Sequence, residues 1–313
     1  MPRVSIARLF EENREKLRLE WVGGRDGAVR ELNSELTKDS SRGLIGHLNF
    51  IHPNLIQVVG ASEAAYLHAL DPASCRSVLG QVATHELACF LAAAVDELPA
   101  PLVDVAESTK TALFRSPLSS VELMWMLRPY LARALAESTT THGVLLDVLG
   151  VGVLITGDSG VGKSELALEL VSRGSGLVAD DVVELYRIGP ETVEGRCPTL
   201  LSDFLEVRGL GVLNIRTIFG EAALRPRKNL KLIVHLERPA RESQRHERLP
   251  LKPGFEEVMG VQIGKVTIPV AAGRNLAVLT EAAVRNYVLQ QRGVDSTREF
   301  ITRQAAQMQK GDE

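Results

Sequence analysis

Through the first 135 residues the hydrophobic positions alternate between helical and strand spacing. Ile6, Leu9 and Phe10 recur at i, i+3 and i+4 behind Ser5, which predicts a short helix with Ser5 as its N-cap. Leu17 to Val22 reads as a strand stopped by Gly23-Gly24, and Leu55 to Val59 as a second, stopped by Gly60. Ser62 to Leu70 predicts a helix ending before Pro72. It lacks a capping box, because Ala65 stands where Glu or Gln is needed. Val78 to Val95, rich in Ala and Leu, predicts another helix, and beyond Pro99 and Pro101 Leu102 to Val105 predicts a strand. From Ser119 to Ala136, Val121, Leu123, Met124, Leu127, Leu131 and Leu135 line one side of a long helix that Pro129 is expected to kink or split.

The polar stretch Ser138-Thr139-Thr140-Thr141 reads as a linker, after which the pattern changes. Val144 to Val148 and Val151 to Thr156 are apolar runs separated only by Leu149-Gly150, which predicts an antiparallel hairpin. Further helices are expected from Glu165 to Gly174 or Gly176, over Asn275 to Leu289 and over Ser296 to Gln309. The expected organisation is an α/β domain over 1–135, for assembly or regulation, and a second domain over 136–313 that holds the chemistry.

Composition narrows the class. At about 150 residues per domain, 313 residues suit two domains, and 45% hydrophobic residues suffice for a sizeable core. The net charge of -3 and only 4% aromatics argue against a dedicated nucleic-acid binder. Cys75, Cys89 and Cys197 have no metal-ligand spacing and read as small buried hydrophobes in a reducing compartment. No apolar run reaches the roughly 18 residues of a membrane span, and the N-terminus turns charged too soon for a signal peptide. A soluble cytoplasmic protein is expected.

The strongest signal is residues 157–164, GDSGVGKS, which fit G-x-x-x-x-G-K-[ST]. Gly157, Gly160 and Gly162 allow turns closed to bulky residues, so that consecutive N–H groups across Asp158, Ser159 and Val161 point at phosphate oxygens. Lys163 supplies a mobile charge for the β- and γ-phosphates, and Ser164 offers a hydroxyl to Mg²⁺. A helix follows directly, its positive end towards the anion. Leu177 to Ala179 then predicts a strand ending in Asp180-Asp181. Strand, loop, helix and strand make a βαβ unit with parallel strands, which brings both carboxylates beside the phosphates. One can hold Mg²⁺ or its waters, and the other can accept a proton from an attacking hydroxyl. A solvated turn is the plainer alternative.

Three further features are weaker taken alone. In LEVRGLGVLN, residues 205–214, Glu206 and Arg208 stand beside a Gly209-Leu210-Gly211 turn, which suits metal and phosphate work or, more plainly, a charged strand running into a bulge. Between 225 and 252, nine Lys and Arg stand against three Glu, either a solvated helical face or a basic arm for an acidic or phosphorylated partner. PVAAGRN, residues 269–275, is a loop with one arginine, Arg274.

Taken in order, THGVLLDVLGVGVLITGDSGVGKSELALELV, VADD, LEVRGLGVLN, LIVHLE and PVAAGRN resemble bacterial HPr kinase/phosphorylase, and IHPNLIQVVGASEAAYL resembles that family's N-terminal domain. The resemblance covers nearly the whole chain. It implies an N-terminal α/β domain and a P-loop kinase domain like that of phosphoenolpyruvate carboxykinase, assembled as a homohexamer. The implied enzyme phosphorylates a serine of the phosphocarrier HPr, or of a paralogue, with ATP or pyrophosphate and Mg²⁺. It also removes that phosphate with inorganic phosphate, making pyrophosphate. By family role Asp181 is the base forward and the acid in reverse, with Asp180 beside it. Ser164 and Glu206 bind Mg²⁺, and His142, Lys163, Arg208 and Arg248 belong to the active site. Arg274 matters mainly for dephosphorylation. A lone histidine such as His142 would otherwise read as structural. The chain departs from the pattern at Ala271-Ala272, where a basic residue and a proline are expected, and at Pro239, where a tryptophan is expected.

Two other classes compete. A small-molecule kinase on the same scaffold would turn over nucleotide with a metabolite and ignore HPr. A non-catalytic regulator would bind nucleotide without phosphoryl transfer.

Overall fold

The computed structural model describes residues 2–33, 50–51, 56–83, 87–238 and 254–311. Contacts divide the chain into two compact units, Met1–Glu137 and Ser138–Glu313.

The first unit contains β1 (Arg3–Ser5), α1 (Ile6–Leu17), β2 (Glu20–Gly23), β3 (Glu31–Asn33), β4 (Phe50–Ile51), β5 (Ile56–Val59), α2 (Ala61–Ala69), α3 (Pro72–Val82), β6 (Cys89–Ala93), α4 (Ala100–Ser108), β7 (Ala112–Ser116) and α5 (Ser120–Ala134). Ser5 caps α1 as expected, its hydroxyl accepting from the Arg8 N–H at 3.2 Å. Five strands form a sheet in the order β2-β7-β6-β5-β4, with β5, β6 and β7 parallel. Ile6, Leu9 and Leu17 of α1 and Leu123, Leu127 and Leu131 of α5 pack into one core, and Leu67, Leu79, Leu102 and Val105 from α2, α3 and α4 into another.

Several expectations are corrected here. Val78–Val95 is not one helix: α3 ends at Val82, and Cys89–Ala93 is the fully buried strand β6. A parallel strand covered on both faces is a continuous apolar run, which periodicity does not separate from a buried helix. Leu102–Val105 lies in helix α4, whose first turn accepts Pro101 because its N–H would have no partner there. Helix α2 starts at Ala61, and the Glu63 carboxylate accepts the Gly60 N–H at 3.0 Å, so the N3 half of the capping box expected to be missing is formed two residues earlier, with Gly60 as N-cap. Leu17 closes α1 and the strand begins at Glu20, while α5 runs through Pro129 without being split. Leu55 lies outside the described residues.

The second unit is built on a nine-stranded sheet. Its elements are β8 (Glu137–His142), β9 (Val144–Val148), β10 (Val151–Gly157), α6 (Lys163–Ser172), β11 (Gly176–Ala179), β12 (Val182–Gly189), β13 (Thr192–Arg196), β14 (Phe204–Val207), β15 (Gly211–Asn214), α7 (Ile215–Phe219), β16 (Arg227–Glu237), β17 (Gly254–Val258), β18 (Val261–Pro269), α8 (Leu276–Gln291) and α9 (Ser296–Gly311). The strand order is β11-β9-β10-β16-β13-β12-β8, and β18 also pairs in parallel with β16. Alternation sorts side chains between two cores. Val153 and Ile155 of β10 and Leu232, Val234 and Leu236 of β16 join Leu166 and Leu170 of α6, whereas Leu154 and Ile233 point to the other face; Leu230 joins them there because the β10–β16 register shifts between Gly152 and Val153.

The hairpin β9–β10 is antiparallel as expected. The stretch expected as a polar linker is instead the exposed strand β8, where β-branched threonines suit extended backbone. Strands β10 and β11 run in the same direction, but β9 lies between them and pairs antiparallel to both, so the βαβ unit is not one of neighbours. The front of the basic stretch is strand β16 rather than a helical face.

Candidate active site

The phosphate-binding loop joins β10 to α6. Gly157, Gly160 and Gly162 have φ of +138°, +69° and +103°, the positive-φ region that favours glycine. The loop therefore folds back on itself ahead of α6, with Asp158, Ser159 and Gly160 exposed and Val161 buried as its anchor. Lys163 Nζ donates to Gly157 O at 2.9 Å and Asp158 O at 3.0 Å, which curls the ammonium into the loop.

Asp180 and Asp181 occupy a tight turn between β11 and β12, closed by a hydrogen bond from the Val182 N–H to Asp180 O at 2.8 Å. The turn sends the two carboxylates in different directions. Asp180 is buried: its Oδ1 accepts from the Ser164 hydroxyl at 3.2 Å and its Oδ2 from the Glu206 N–H at 2.9 Å. Burial pushes its carboxyl above the ordinary aspartate range, against the pull of those two donors. Asp181 has φ +63° and an exposed carboxylate, 3.6 Å from His142 Nδ1. The Gly143 N–H donates to Asp181 O at 3.1 Å, so the turn after β8 fixes the histidine and this aspartate together.

Strands β14 and β15 pair antiparallel, with Glu206 opposite Val212. Period-2 alternation buries Leu205 and Val207 and leaves Glu206 and Arg208 exposed on the other face. Arg208 reaches the tip of the loop, where a Cβ on Gly160 would lie 3.0 Å from Nη1. Arg274 lies beyond β18, in the loop before α8, and lines a cavity with Gly162 and Glu165.

The structure thus brings Asp180, Ser164 and the Glu206 backbone together, pairs His142 with Asp181, and places Lys163 and Arg208 at the loop. Arg248 lies outside the described residues, as do Arg241, Arg245 and Lys252. One loop contact was not legible beforehand: Arg238, just past β16, donates to Gly160 O at 2.7 Å and to Ser159 O at 3.4 Å. In the sequence it was one of nine basic residues, and only the parallel pairing of β10 with β16 sets it beside the loop.

Among the described residues no three His, Cys, Asp or Glu side chains gather into a metal-binding cluster of their own. Ser164 and Asp180 suit the other arrangement, a cation held by a hydroxyl, a carboxylate and the phosphates themselves. The arrangement can cradle a polyphosphate, neutralise it with Lys163 and Arg208, and take a proton at Asp181.

Comparisons with known proteins decide the family. The family model described as HPr Serine kinase N terminus matches residues 4–131, and that described as HPr Serine kinase C-terminal domain matches residues 133–304. The chain is 58% identical to the HPr kinase/phosphorylase of Nitrosomonas europaea, over 98% of this chain and 96% of that protein. The chain belongs to the HPr kinase/phosphorylase family. It is 54% identical to the HPr kinase/phosphorylase of Chromobacterium violaceum, over 97% of this chain and 95% of that one. A solved structure of the Hpr(Ser) kinase/phosphatase from Coxiella burnetii matches at 33% identity and TM-score 0.47, over 52% of this chain and 98% of that one. The chain is therefore a two-domain α/β kinase, an enzyme with a nucleotide phosphate donor. No helix among the described residues is long and apolar enough to cross a membrane.

Proposed function

We propose that this enzyme transfers the γ-phosphoryl of ATP to a serine hydroxyl of HPr, or of a paralogous phosphocarrier, and reverses the transfer with inorganic phosphate. The observation that carries this reading is the division of labour between the two aspartates: one buried against Ser164, the other exposed beside His142. Two carboxylates in unlike environments suit two roles.

In the forward direction Asp181 takes the proton of the serine hydroxyl as its oxygen bonds to phosphorus and the bond from phosphorus to the β-bridging oxygen breaks. In reverse, a phosphate oxygen bonds to the phosphoserine phosphorus, the serine oxygen leaves, and Asp181 returns its proton, giving pyrophosphate. One carboxylate serves both directions by microscopic reversibility. His142, 3.6 Å away, orients Asp181. Asp180 orients the Ser164 hydroxyl and, through the Glu206 N–H, holds the hairpin that carries Arg208. Mg²⁺, when bound, neutralises phosphate charge; Ser164, Asp180 and Glu206 are the residues that would hold it. Lys163 and Arg208 supply the remaining positive charge, and Arg274 serves mainly the reverse reaction. Work on this substrate is expected in the cytoplasm, in a homohexamer, with pyrophosphate as an alternative donor.

The test is incubation of the purified enzyme with HPr, Mg²⁺ and γ-labelled ATP, followed by phosphate and a search for labelled pyrophosphate. Label on a serine that then moves to pyrophosphate supports the reading. Nucleotide turnover that ignores HPr would replace it with a small-molecule kinase.

A further inference from the structure

We propose that the cleft between the start of α6 and the loop entering α8 takes the nucleoside of the phosphate donor, so that this flank distinguishes a nucleotide from pyrophosphate. The proposal rests on the reading above that ATP is the donor. The cleft has a volume of about 430 Å³ and is walled by Glu165, Leu166, Glu169, Arg274 and Leu276, with Gly162 of the phosphate loop at its edge. That volume lies within the usual range for small-molecule sites.

Helix geometry directs a bound polyphosphate towards it. At 100° per residue, Gly162, Glu165, Leu166 and Glu169 share one face of α6, and Ser164 projects from nearly the opposite one. Ser164 meets Asp180 on its own side. The sheet repeats the division. Asp180 follows β11, two strands from β10 in one direction, and Arg274 follows β18, two strands from β10 in the other. A phosphate chain lying across the N-terminus of α6 with its reacting end at Ser164 and Asp181 has its other end at the cleft.

The walls match a nucleoside rather than another anion. Half-buried Leu276 offers apolar surface to a base, with the buried Leu166 beneath it, and the exposed guanidinium of Arg274 can reach the innermost phosphate. Glu165 and Glu169 present acceptors, suited to ribose hydroxyls or an exocyclic amine, and their charge disfavours a second phosphate group. Glu169 already accepts from Asn275 Nδ2 at 3.1 Å, and Arg173, which caps the end of α6, donates to Glu281 of α8 at 2.8 Å, so both walls are held in place.

Calorimetric titration of wild type, Glu169→Gln and Leu276→Ala with ATP, tripolyphosphate and pyrophosphate tests this, alongside KM for ATP and pyrophosphate in HPr phosphorylation. Wild type should bind ATP at least tenfold more tightly than tripolyphosphate. Each variant should lose most of that advantage, with pyrophosphate affinity changing less than about twofold. Equal affinity of wild type for ATP and tripolyphosphate would overturn the nucleoside site while leaving phosphoryl transfer intact. Parallel loss of ATP and pyrophosphate binding would also overturn it, by showing that the residues merely hold the loop. Glu169→Gln keeps size and fold, so the result stands if Leu276→Ala is unstable. Absence of any transfer to HPr in wild type would refute the proposed function, and the ATP-to-tripolyphosphate ratio would still report on the cleft.

Discussion

Gly157 and Gly162 both have positive φ within the phosphate loop, yet alanine at each is expected to behave differently. A Cβ at Gly157 would lie 2.4 Å from Leu236 O and 3.1 Å from Val161 Cγ1, whereas one at Gly162 would meet nothing within 4 Å. Leu236 is the parallel neighbour of Gly157 at the end of the β10–β16 pairing. Gly157→Ala therefore forces a main-chain oxygen of the central strand outward. Backbone strain of about 1–3 kcal/mol and overpacking of about 1–3 kcal/mol together cost roughly 2–6 kcal/mol. Gly162→Ala carries the strain alone, about 1–3 kcal/mol. At about 2–4 °C per kcal/mol for a domain of this size, Gly157→Ala should melt on the order of 5–20 °C below wild type. Gly162→Ala should stay within about 10 °C. Thermal melts followed by circular dichroism, with pyrophosphate titration of whatever remains folded, give the comparison. A Gly157→Ala protein no less stable than Gly162→Ala would show that β16 does not press on the loop as described.

Lys163→Ala should lower both phosphorylation and phosphorolysis by ~10²-fold or more, since every phosphate species needs that charge; loss in one direction only would contradict its position in the loop. Arg274→Ala should harm phosphorolysis more than phosphorylation, and equal loss in the two assays would overturn that role. Glu281 is held below the ordinary glutamate range, chiefly by its hydrogen bonds with Arg173. A depressed carboxylate contributes stability that is present above the ordinary range and lost as pH falls through the folded value. The stability gap between wild type and Glu281→Gln in urea should therefore narrow on acidification, and a widening gap would reverse the assignment. Burial pushes the Cys89 thiol up to about 12 and raises that of Cys75. Neither should react with a thiol reagent at neutral pH until the protein is unfolded, as mass spectrometry of modified peptides would show.

Much of the site is local in sequence. The glycines, Lys163 and Ser164 lie within eight consecutive residues, and the helix after them follows from chain direction. Ser5 as an N-cap and the hairpin β9–β10 are equally local, set by one side chain and one short turn. These features were read correctly because the residues that cause them are neighbours. The errors have the opposite origin. Cys89–Ala93 is a strand because sheet neighbours bury both its faces, and no periodicity survives in a stretch that is apolar throughout. Leu102–Val105 is helical despite two nearby prolines because Pro101 falls in the first turn.

The sequence by itself determined that a phosphate loop is present, that paired aspartates follow it, and which family carries both. Tertiary structure alone decided how the pair divides. Asp180 and Asp181 are adjacent and chemically identical, and only the turn between β11 and β12 buries one against Ser164 and exposes the other to His142. It also brought Arg238 to the loop and opened the cleft between α6 and α8, because contacts across parallel strands join residues about 80 apart, such as Gly157 and Leu236, that no local pattern links.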